Sequence, residues 1–129
     1  MTITLKRDDI LKVQDIKAEQ IHIPEWGGDV YVRAMSANSR DELEDFVAAS
    51  GKGGTVKQLR AKVASLTLCD EKGKLLFTEN DVEKIGEKSA TVLQRIFEIA
   101  TRLSQVQEDS VKELTENLQA NPTGDSPTD

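Results

Sequence analysis

Apolar and polar residues alternate with period two in two short stretches near the start of the chain, residues 19–23 and 30–33. This is the spacing of half-buried β-strands. Between them, Gly27-Gly28-Asp29 offers the positive φ that a hairpin turn needs, and Pro24 ends the first ladder because it has no N–H to donate. The pattern predicts an antiparallel hairpin with one apolar face, formed by Ile21, Ile23, Val30 and Val32.

From Ser36 onward, apolar residues recur every three or four positions, which predicts helices. The first helix is expected over roughly 38–49, with Ser39 and Glu42 at the spacing of a capping box. Its apolar stripe consists of Leu43, Phe46 and Val47. Gly51 to Gly54 end this helix, and Thr55 is expected to cap a second one with the stripe Val56, Leu59, Val63 and Leu66.

Two further helices follow a short extended segment that turns at residues 70–73. Thr78 is expected to cap the shorter helix, and Ser89 the longer one over 88–104. The longer helix has the widest apolar face in the sequence, so it is predicted to lie at the centre of the core. The predicted fold class is mainly α with a small β-hairpin (α+β), in which four to five short helices pack on a two-stranded antiparallel hairpin.

Both ends of the chain differ from this predicted core, which spans residues 18–105. The lead-in, 1–17, mixes apolar and charged residues, and its spacing fits a short helix and a loose strand equally well. Residues 106–119 are predicted to form an acidic amphipathic helix that docks on its own domain, on a partner or on another copy. Residues 120–129 have two Pro, one Gly and no large apolar residue, which predicts a disordered tail.

Composition and charge narrow the classes of function. The 129 residues carry a net charge of −6 at pH 7, and phosphate binding depends on clustered Lys and Arg, so nucleic acid is not an expected partner. No apolar run approaches the ~20 residues of a membrane helix, so a membrane partner is not expected either. The first residues lack the apolar core of a signal peptide. A single cysteine, Cys69, allows no internal disulfide and fits a reducing cytosol.

No catalytic or metal-binding constellation can be assembled from the sequence. Lys52 to Lys57 looks like a phosphate-binding loop, but Gln58 stands where Mg²⁺ binding needs Ser or Thr. Residues 70–81 have the length of an EF-hand loop, but lysines fill two of the ligand positions. His22 is the only histidine and has neither a metal-site partner nor a triad partner. The expected class is an interaction protein without catalytic residues, metal or cofactor.

Three ordered segments resemble the tail assembly chaperones of long-tailed (siphovirus) bacteriophages. They are IPEWGGDVYVRAMSANSRDELE, with its PEWGG turn and VYVR strand, LTLCDEKGKLLFTENDVEKIGEK, and SATVLQRIFEIATRLS, and they lie within roughly residues 18–105. The family pattern usually continues with Asn after the long helix, where this chain has Ser104-Gln105. The resemblance implies a mainly α-helical fold with a little β-structure, in agreement with the spacing of apolar residues.

The resemblance also implies a role. Members of the family bind the tape measure protein in the infected cell, keep it soluble and extended while tail tube subunits polymerise around it, and are absent from the finished tail. The chain resembles the short, non-frameshifted product of such a gene, and the tail tube protein would be reached through the longer form. A homo-oligomer in the host cytoplasm is expected. The alternatives are a structural or connector protein retained in the virion and a small enzyme with a bound cofactor.

Two partner-binding surfaces are predicted. On the hairpin, Tyr31 and Arg33 alternate away from the apolar face, and Trp26 lies at the turn, where the pattern leaves its side undetermined. Aromatic residues are favoured interface anchors because they fill well-packed pockets at the centre of interfaces. The second surface is the stripe of residues 109–119, formed by Val111, Leu114 and Leu118.

Overall fold

The computed structural model of the chain describes residues 2–50 and 56–104. Within them lie five α-helices, a three-stranded antiparallel sheet and two short 3₁₀ turns, so the α+β fold class is confirmed. The elements are α1 (Arg7–Lys12), β1 (Ala18–Ile23), a 3₁₀ turn (Pro24–Trp26), β2 (Gly28–Arg33), α2 (Ala37–Ala49), α3 (Leu59–Thr67), β3 (Leu68–Cys69), a 3₁₀ turn (Glu79–Asp81), α4 (Val82–Ile85) and α5 (Ala90–Leu103).

The predicted hairpin is confirmed, and a third strand extends it. β1 pairs antiparallel with β2, from Ala18 opposite Arg33 to Ile23 opposite Gly28. Gly27 makes the turn with a φ of 73°, the left-handed conformation that glycine adopts without steric cost. β3 adds to the other edge of β2 through only two residue pairs, so the sheet order is β1-β2-β3. The apolar face predicted for the hairpin is covered by α5, which contacts β2.

The first long helix forms where it is predicted, but its cap is a different residue. Ser36 is the N-cap of α2, and its hydroxyl accepts a hydrogen bond from the Ser39 backbone N–H at 3.1 Å. The predicted capping role of Ser39 is therefore wrong. Ser39 instead lies inside the helix and is buried one and two turns before Leu43 and Val47, which the stripe did predict as core residues.

α3 occupies the centre of the core, the place predicted for the longer helix. Every residue from Ala61 to Thr67 is buried, and α3 contacts α2, α4 and α5. α5 is buried along one face only, so the prediction that it is the central helix is wrong. α3 also begins later than expected: Gln58 is its N-cap, and Val56 is buried in the segment that precedes it. Thr55, the predicted cap, lies outside the described residues.

Of the two caps predicted for the later helices, Ser89 is confirmed, whereas Thr78 caps the 3₁₀ turn directly before α4, whose own N-cap is Asp81. The Thr78 hydroxyl accepts a hydrogen bond from the Asn80 N–H, and the Asp81 carboxylate accepts one from the Thr78 N–H at 2.8 Å, which completes a capping box. Ser89 caps α5 by accepting from the Val92 N–H. The core that these elements enclose has at its centre Ile23, Val32, Leu43, Val47, Val63, Val92 and Ile96.

The lead-in, whose conformation the sequence left open, contains the short helix α1. None of the residues of α1 is buried. The lead-in joins the sheet at Lys17, whose carbonyl accepts a hydrogen bond from the Ala34 N–H at 2.7 Å. The domain division at residue 18 stays a prediction, as do the helix over 106–119 and the tail over 120–129, both of which lie outside the described residues.

Candidate interaction surfaces

The side chains that point away from the covered face of the hairpin form a polar surface around Tyr31. Tyr31 lies between Gln20 on β1 and Cys69 on β3 and is half-buried. The Asp29 carboxylate accepts a hydrogen bond from Gln20 Nε2 at 3.0 Å and lies 2.7 Å from His22 Nδ1. We call this surface the hairpin outer face. Tyr31 thus lies on the side of β2 opposite to Val32, as the alternation predicted, and its cross-strand neighbours are the exposed Gln20 and the buried Cys69.

Arg33 lies on the same side of β2 but is bound to the protein itself. It is half-buried, and its Nη1 donates a hydrogen bond to the Gly73 carbonyl at 2.8 Å. Gly73 has a φ of 87° in the turn that returns the chain from β3. Arg33 therefore holds this turn against β2, which leaves little of its side chain to meet a partner.

Trp26 lies in a different place from Tyr31. It lines a cavity of about 470 Å³ between the hairpin turn and α4, together with Leu68, Phe77 and Ile85. Leu68 is paired with Val32, a fully buried residue of the covered face, so this cavity opens on the core side of the sheet. We call it the Trp26 groove. The structure therefore separates Trp26 and Tyr31 into two surfaces, although the sequence grouped them into one.

The rim of the Trp26 groove is charged. Lys84 and Lys88 line it and make no ion pair with any described residue, and Asp81 is engaged in the capping box with Thr78. The groove thus combines an apolar wall with two unpaired positive charges. The Trp26 side chain is itself 38% exposed within it.

The lead-in exposes more apolar surface than any other described part of the chain. We call residues 2–17 the arm. Six of the eight large apolar residues that the described chain exposes belong to it: Ile3, Leu5, Ile10, Leu11, Val13 and Ile16. Large apolar patches on the surface of soluble proteins commonly mark interaction sites. The sequence pattern includes these apolar residues but does not predict that they form a binding surface.

Two ion pairs join the polar edge of α5 to the hairpin. Arg95 makes two hydrogen bonds to the Glu25 carboxylate, at 3.2 and 2.9 Å, and Arg102 donates to both carboxylate oxygens of Glu19 at 2.9 Å. The hydrogen bond from Arg95 lowers the pKa of the Glu25 carboxyl, and the same contact raises the pKa of Arg95. These ion pairs link α5 to Glu19 near the start of β1 and to Glu25 in the turn that follows β1.

Reactive groups are scarce in the part of the chain that the structure describes. No cluster of three or more His, Cys, Asp or Glu among residues 2–50 and 56–104 is placed to hold a metal ion. Burial raises the pKa of the Cys69 thiol, which keeps it protonated and a poor nucleophile. Within the same ranges, no helix is both long enough and apolar enough to cross a membrane.

The groove could not be found from the sequence because its lining comes from three separate segments. Trp26 was singled out, but Leu68 and Phe77 were assigned only to an extended segment, and Ile85 only to a short helix. The spacing of Lys84 and Lys88 was the one signal of a local positive rim. The remaining predicted contact residues, Val111, Leu114 and Leu118, lie outside the described residues.

Comparison with known proteins identifies the family. A family model described as phage tail assembly chaperone matches residues 7–113. The chain belongs to the phage tail assembly chaperones. The matched range includes α1, the hairpin and every residue that lines the Trp26 groove. The resemblance seen in the sequence is thereby confirmed.

A solved structure supports the fold of this chaperone. The tail assembly chaperone of bacteriophage HK97 superposes with a TM-score of 0.57 and 20% sequence identity, over 71% of this chain and 85% of that one. At this identity the likeness shows a shared fold alone. No curated protein sequence matches the chain.

Proposed function

We propose that this tail assembly chaperone binds the tape measure protein, keeps it soluble and helps to recruit tail tube subunits, without remaining in the finished tail. The observation that carries the proposal is the family match over residues 7–113. In this role the chain is not an enzyme and needs no cofactor. It acts in the host cytoplasm during infection, and the tail tube protein is engaged through a longer, frameshifted form of the same chain.

The physical demands of the role favour several weak contacts over one tight contact. A tape measure protein is long and must be released when the tube arrives, so each contact has to be reversible. Several linked copies, each bound weakly, reach high total affinity because later contacts form at a high effective concentration. We therefore propose that the chaperone acts as a homo-oligomer.

The hairpin outer face is the proposed contact for the tape measure protein. Tyr31 is its central aromatic residue and is half-buried, so it can be anchored in the fold and still offer an edge to a partner. The stripe of Val111, Leu114 and Leu118 remains a second proposed contact. Trp26 belongs to the groove on the other side of the sheet.

Co-expression with the tape measure protein tests the proposed function. We expect the tape measure protein to be recovered in the soluble fraction together with the chaperone, and to precipitate when it is expressed alone. Tyr31→Ala should reduce the amount recovered, whereas Asp45→Ala, an exposed position on α2, should not. The circular dichroism spectrum of each variant shows whether it is folded. Equal recovery with Tyr31→Ala would remove the hairpin outer face from the proposal.

Purified phage particles test the other half of the proposal. Mass spectrometry of intact virions should not detect the chain, although it is abundant in infected cells. Its presence at a fixed stoichiometry in particles would show a structural or connector protein instead.

A further inference from the structure

We infer that the arm of one copy docks in the Trp26 groove of a second copy. The inference rests on the proposed homo-oligomer and names the contact that would build it. Both halves of this contact lie among the described residues, and no described residue of the same chain occupies the groove or covers the arm.

The arm carries apolar side chains that its own domain does not cover. Ile10 and Leu11 are 58% and 67% exposed, and α1 has no buried residue. A helix of six residues is far below the length at which helices are stable alone in water, about 12–15 residues. α1 is therefore expected to gain most of its stability from a surface that buries Ile10 and Leu11.

The Trp26 groove has the size and the wall that these side chains need. Its volume of about 470 Å³ lies within the range of about 300–1,000 Å³ found for ligand sites. Trp26, Leu68, Phe77 and Ile85 give it an apolar wall. A partly exposed tryptophan in such a cavity is a favoured anchor for a partner's aliphatic side chains.

The first turn of α1 carries two acidic residues and the rim of the groove carries two lysines, although the arm as a whole has four basic and three acidic residues and Asp81 also lines the groove. Asp8 and Asp9 stand in the first turn of α1, directly before Ile10 and Leu11. The rim of the groove carries Lys84 and Lys88, which have no ion-pair partner among the described residues. Asp8 is already paired with Arg7 at 3.1 Å, and Asp9 accepts a hydrogen bond from the Lys6 N–H. Docking would add Lys84 and Lys88 to the partners of these two carboxylates, beside an apolar contact. Complementary charge of this kind selects the partner and its orientation.

The reach of the arm favours a second copy over the same chain. Lys17 is bound to Ala34, at the end of the hairpin opposite the turn that holds Trp26. The six residues of β1 separate these ends by about 17 Å. The five residues 13–17 that join α1 to β1 span at most about 18 Å when fully extended. α1 would reach the groove of its own chain only with this linker stretched to its limit.

Disulfide trapping between two differently tagged chains tests the contact directly. One chain carries Leu11→Cys and the other Lys88→Cys, and both keep the buried Cys69. We expect mild oxidation to give a disulfide-linked pair that contains both tags. The matched control replaces Lys88→Cys with Asp45→Cys, an exposed position on α2 that does not line the groove. Linkage no greater than in this control would overturn the inference.

A single chain that carries both cysteines separates the two ways of docking. If Leu11→Cys and Lys88→Cys form a disulfide within one chain and no linked pairs, the arm occupies its own groove and the inference is wrong. Linked pairs or longer ladders support it.

Light scattering of the uncrosslinked protein tests two claims independently: that the chain forms a homo-oligomer, and that the arm makes the contact between copies. The double variant Ile10→Ser, Leu11→Ser should lose the heavier species that the parent forms, and because both positions are exposed it should stay folded. A parent that is monomeric at high concentration overturns both the homo-oligomer and the arm contact. A variant with the same mass as an oligomeric parent overturns the arm contact alone and leaves the homo-oligomer standing.

Discussion

At the scale of single residues, the most costly side chain in the core is Lys62. It lies in the middle of α3 and is 4% exposed, and a buried ammonium group is stable only when it is paired. Its Nζ lies 2.6 Å from Glu42 Oε2 on α2 and 5.5 Å from the centre of the Phe46 ring. Lys62 therefore joins α2 to α3 through an ion pair whose Glu42 end is partly exposed to water.

Removing the Glu42 carboxylate should lower the free energy of unfolding more than removing the Lys62 ammonium group that it pairs with. Loss of one partner of a fully buried pair costs about 3–5 kcal/mol, but the Glu42 side chain is 46% exposed. We therefore expect Glu42→Gln to lower the free energy of unfolding by about 1–2 kcal/mol, because water reaches this pair. Lys62→Met, which keeps the apolar stem, should change the free energy of unfolding by less than about 1 kcal/mol. Urea denaturation measures both.

A double variant supplies the control for this pair. In a Lys62→Met background, Glu42→Gln should have almost no effect on the urea midpoint, since there is no longer a charge to leave unpaired. If Glu42→Gln is equally costly in both backgrounds, the pair does not hold α2 to α3.

The Glu25–Arg95 pair predicts a pH dependence of stability. Its hydrogen bond holds the pKa of Glu25 below the ordinary 4.5. As the pH falls, the unfolded chain therefore takes up the proton before the folded chain does. The stability that the pair contributes is complete above the ordinary carboxyl pKa and is lost as the pH drops through the lowered one.

Glu25→Gln tests this dependence. The urea midpoints of the parent and the variant should differ most above the ordinary carboxyl pKa and converge as the pH falls through the lowered pKa of Glu25, because protonation of Glu25 removes the same charge in the parent. Glu83→Gln, an exposed glutamate on α4, is the matched control and should follow the parent over the whole range. A constant difference between Glu25→Gln and the parent would contradict the assignment.

At the scale of elements, the hairpin turn depends on one glycine of its pair. Gly27 has a φ of 73°, where a residue with a Cβ is strained, whereas Gly28 is the first residue of β2. No atom lies within 4 Å of a Cβ built on either glycine, so a substitution meets no steric contact at either position. We expect Gly27→Ala to lower the free energy of unfolding by about 1–2 kcal/mol through backbone strain alone.

Gly28→Ala is the matched control for the turn, because it adds the same methyl group one residue away. It should change the free energy of unfolding by no more than about 0.5 kcal/mol. Gly27→Asn should recover part of the loss, since asparagine tolerates the left-handed conformation better than alanine. Equal effects of the two alanine substitutions in thermal unfolding would refute the role assigned to Gly27.

Local patterns in the sequence predicted most of the elements. The alternation of Ile21, Ile23, Val30 and Val32 identified the hairpin because period two is a property of neighbouring residues. The hydroxyls of Thr78 and Ser89 marked helix starts for the same reason. At α2 the pattern selected Ser39 over Ser36 because Glu42 stands at capping-box spacing from Ser39, whereas in the structure Ser36 is the N-cap and Ser39 is buried inside the helix.

The features that sequence reasoning missed depend on distant contacts. β3 has two residues, too few for a periodic signal, and is a strand only because β2 lies beside it. α3 reads as an ordinary amphipathic helix, and its position at the centre of the core follows from helices that pack on its other sides, including the side of Lys62. The candidate site was predicted in part. The orientation of Tyr31 follows from alternation, whereas the surroundings of Trp26 come from residues 42 to 62 positions further along the chain.

At the scale of the whole molecule, the domain and the arm are expected to serve different purposes. The domain buries its apolar residues in one core, while the arm leaves Ile3, Leu5, Ile10 and Leu11 in water. Exposed apolar side chains do not stabilise the fold unless they pack against a second surface. Stability and self-association should therefore be separable in this chaperone.

Removal of residues 1–12 tests this separation. At low protein concentration the shortened chain should unfold within about 0.5 kcal/mol of the parent, because α1 has no buried residue and the bond from the Ala34 N–H to the Lys17 carbonyl is kept. At high concentration the parent should gain thermal stability by mass action, since a second copy binds only the folded state. The shortened chain should show no such gain.

The control for this experiment is Lys12→Ala, which changes an exposed polar residue of the arm and keeps all six exposed apolar ones. It should retain the rise of the unfolding temperature with concentration. A shortened chain that is less stable than the parent even at the lowest concentration would mean that the arm packs on its own domain. A parent whose unfolding temperature is independent of concentration would mean that the arm has no second copy to bind, and its apolar residues would then have to be assigned to another partner.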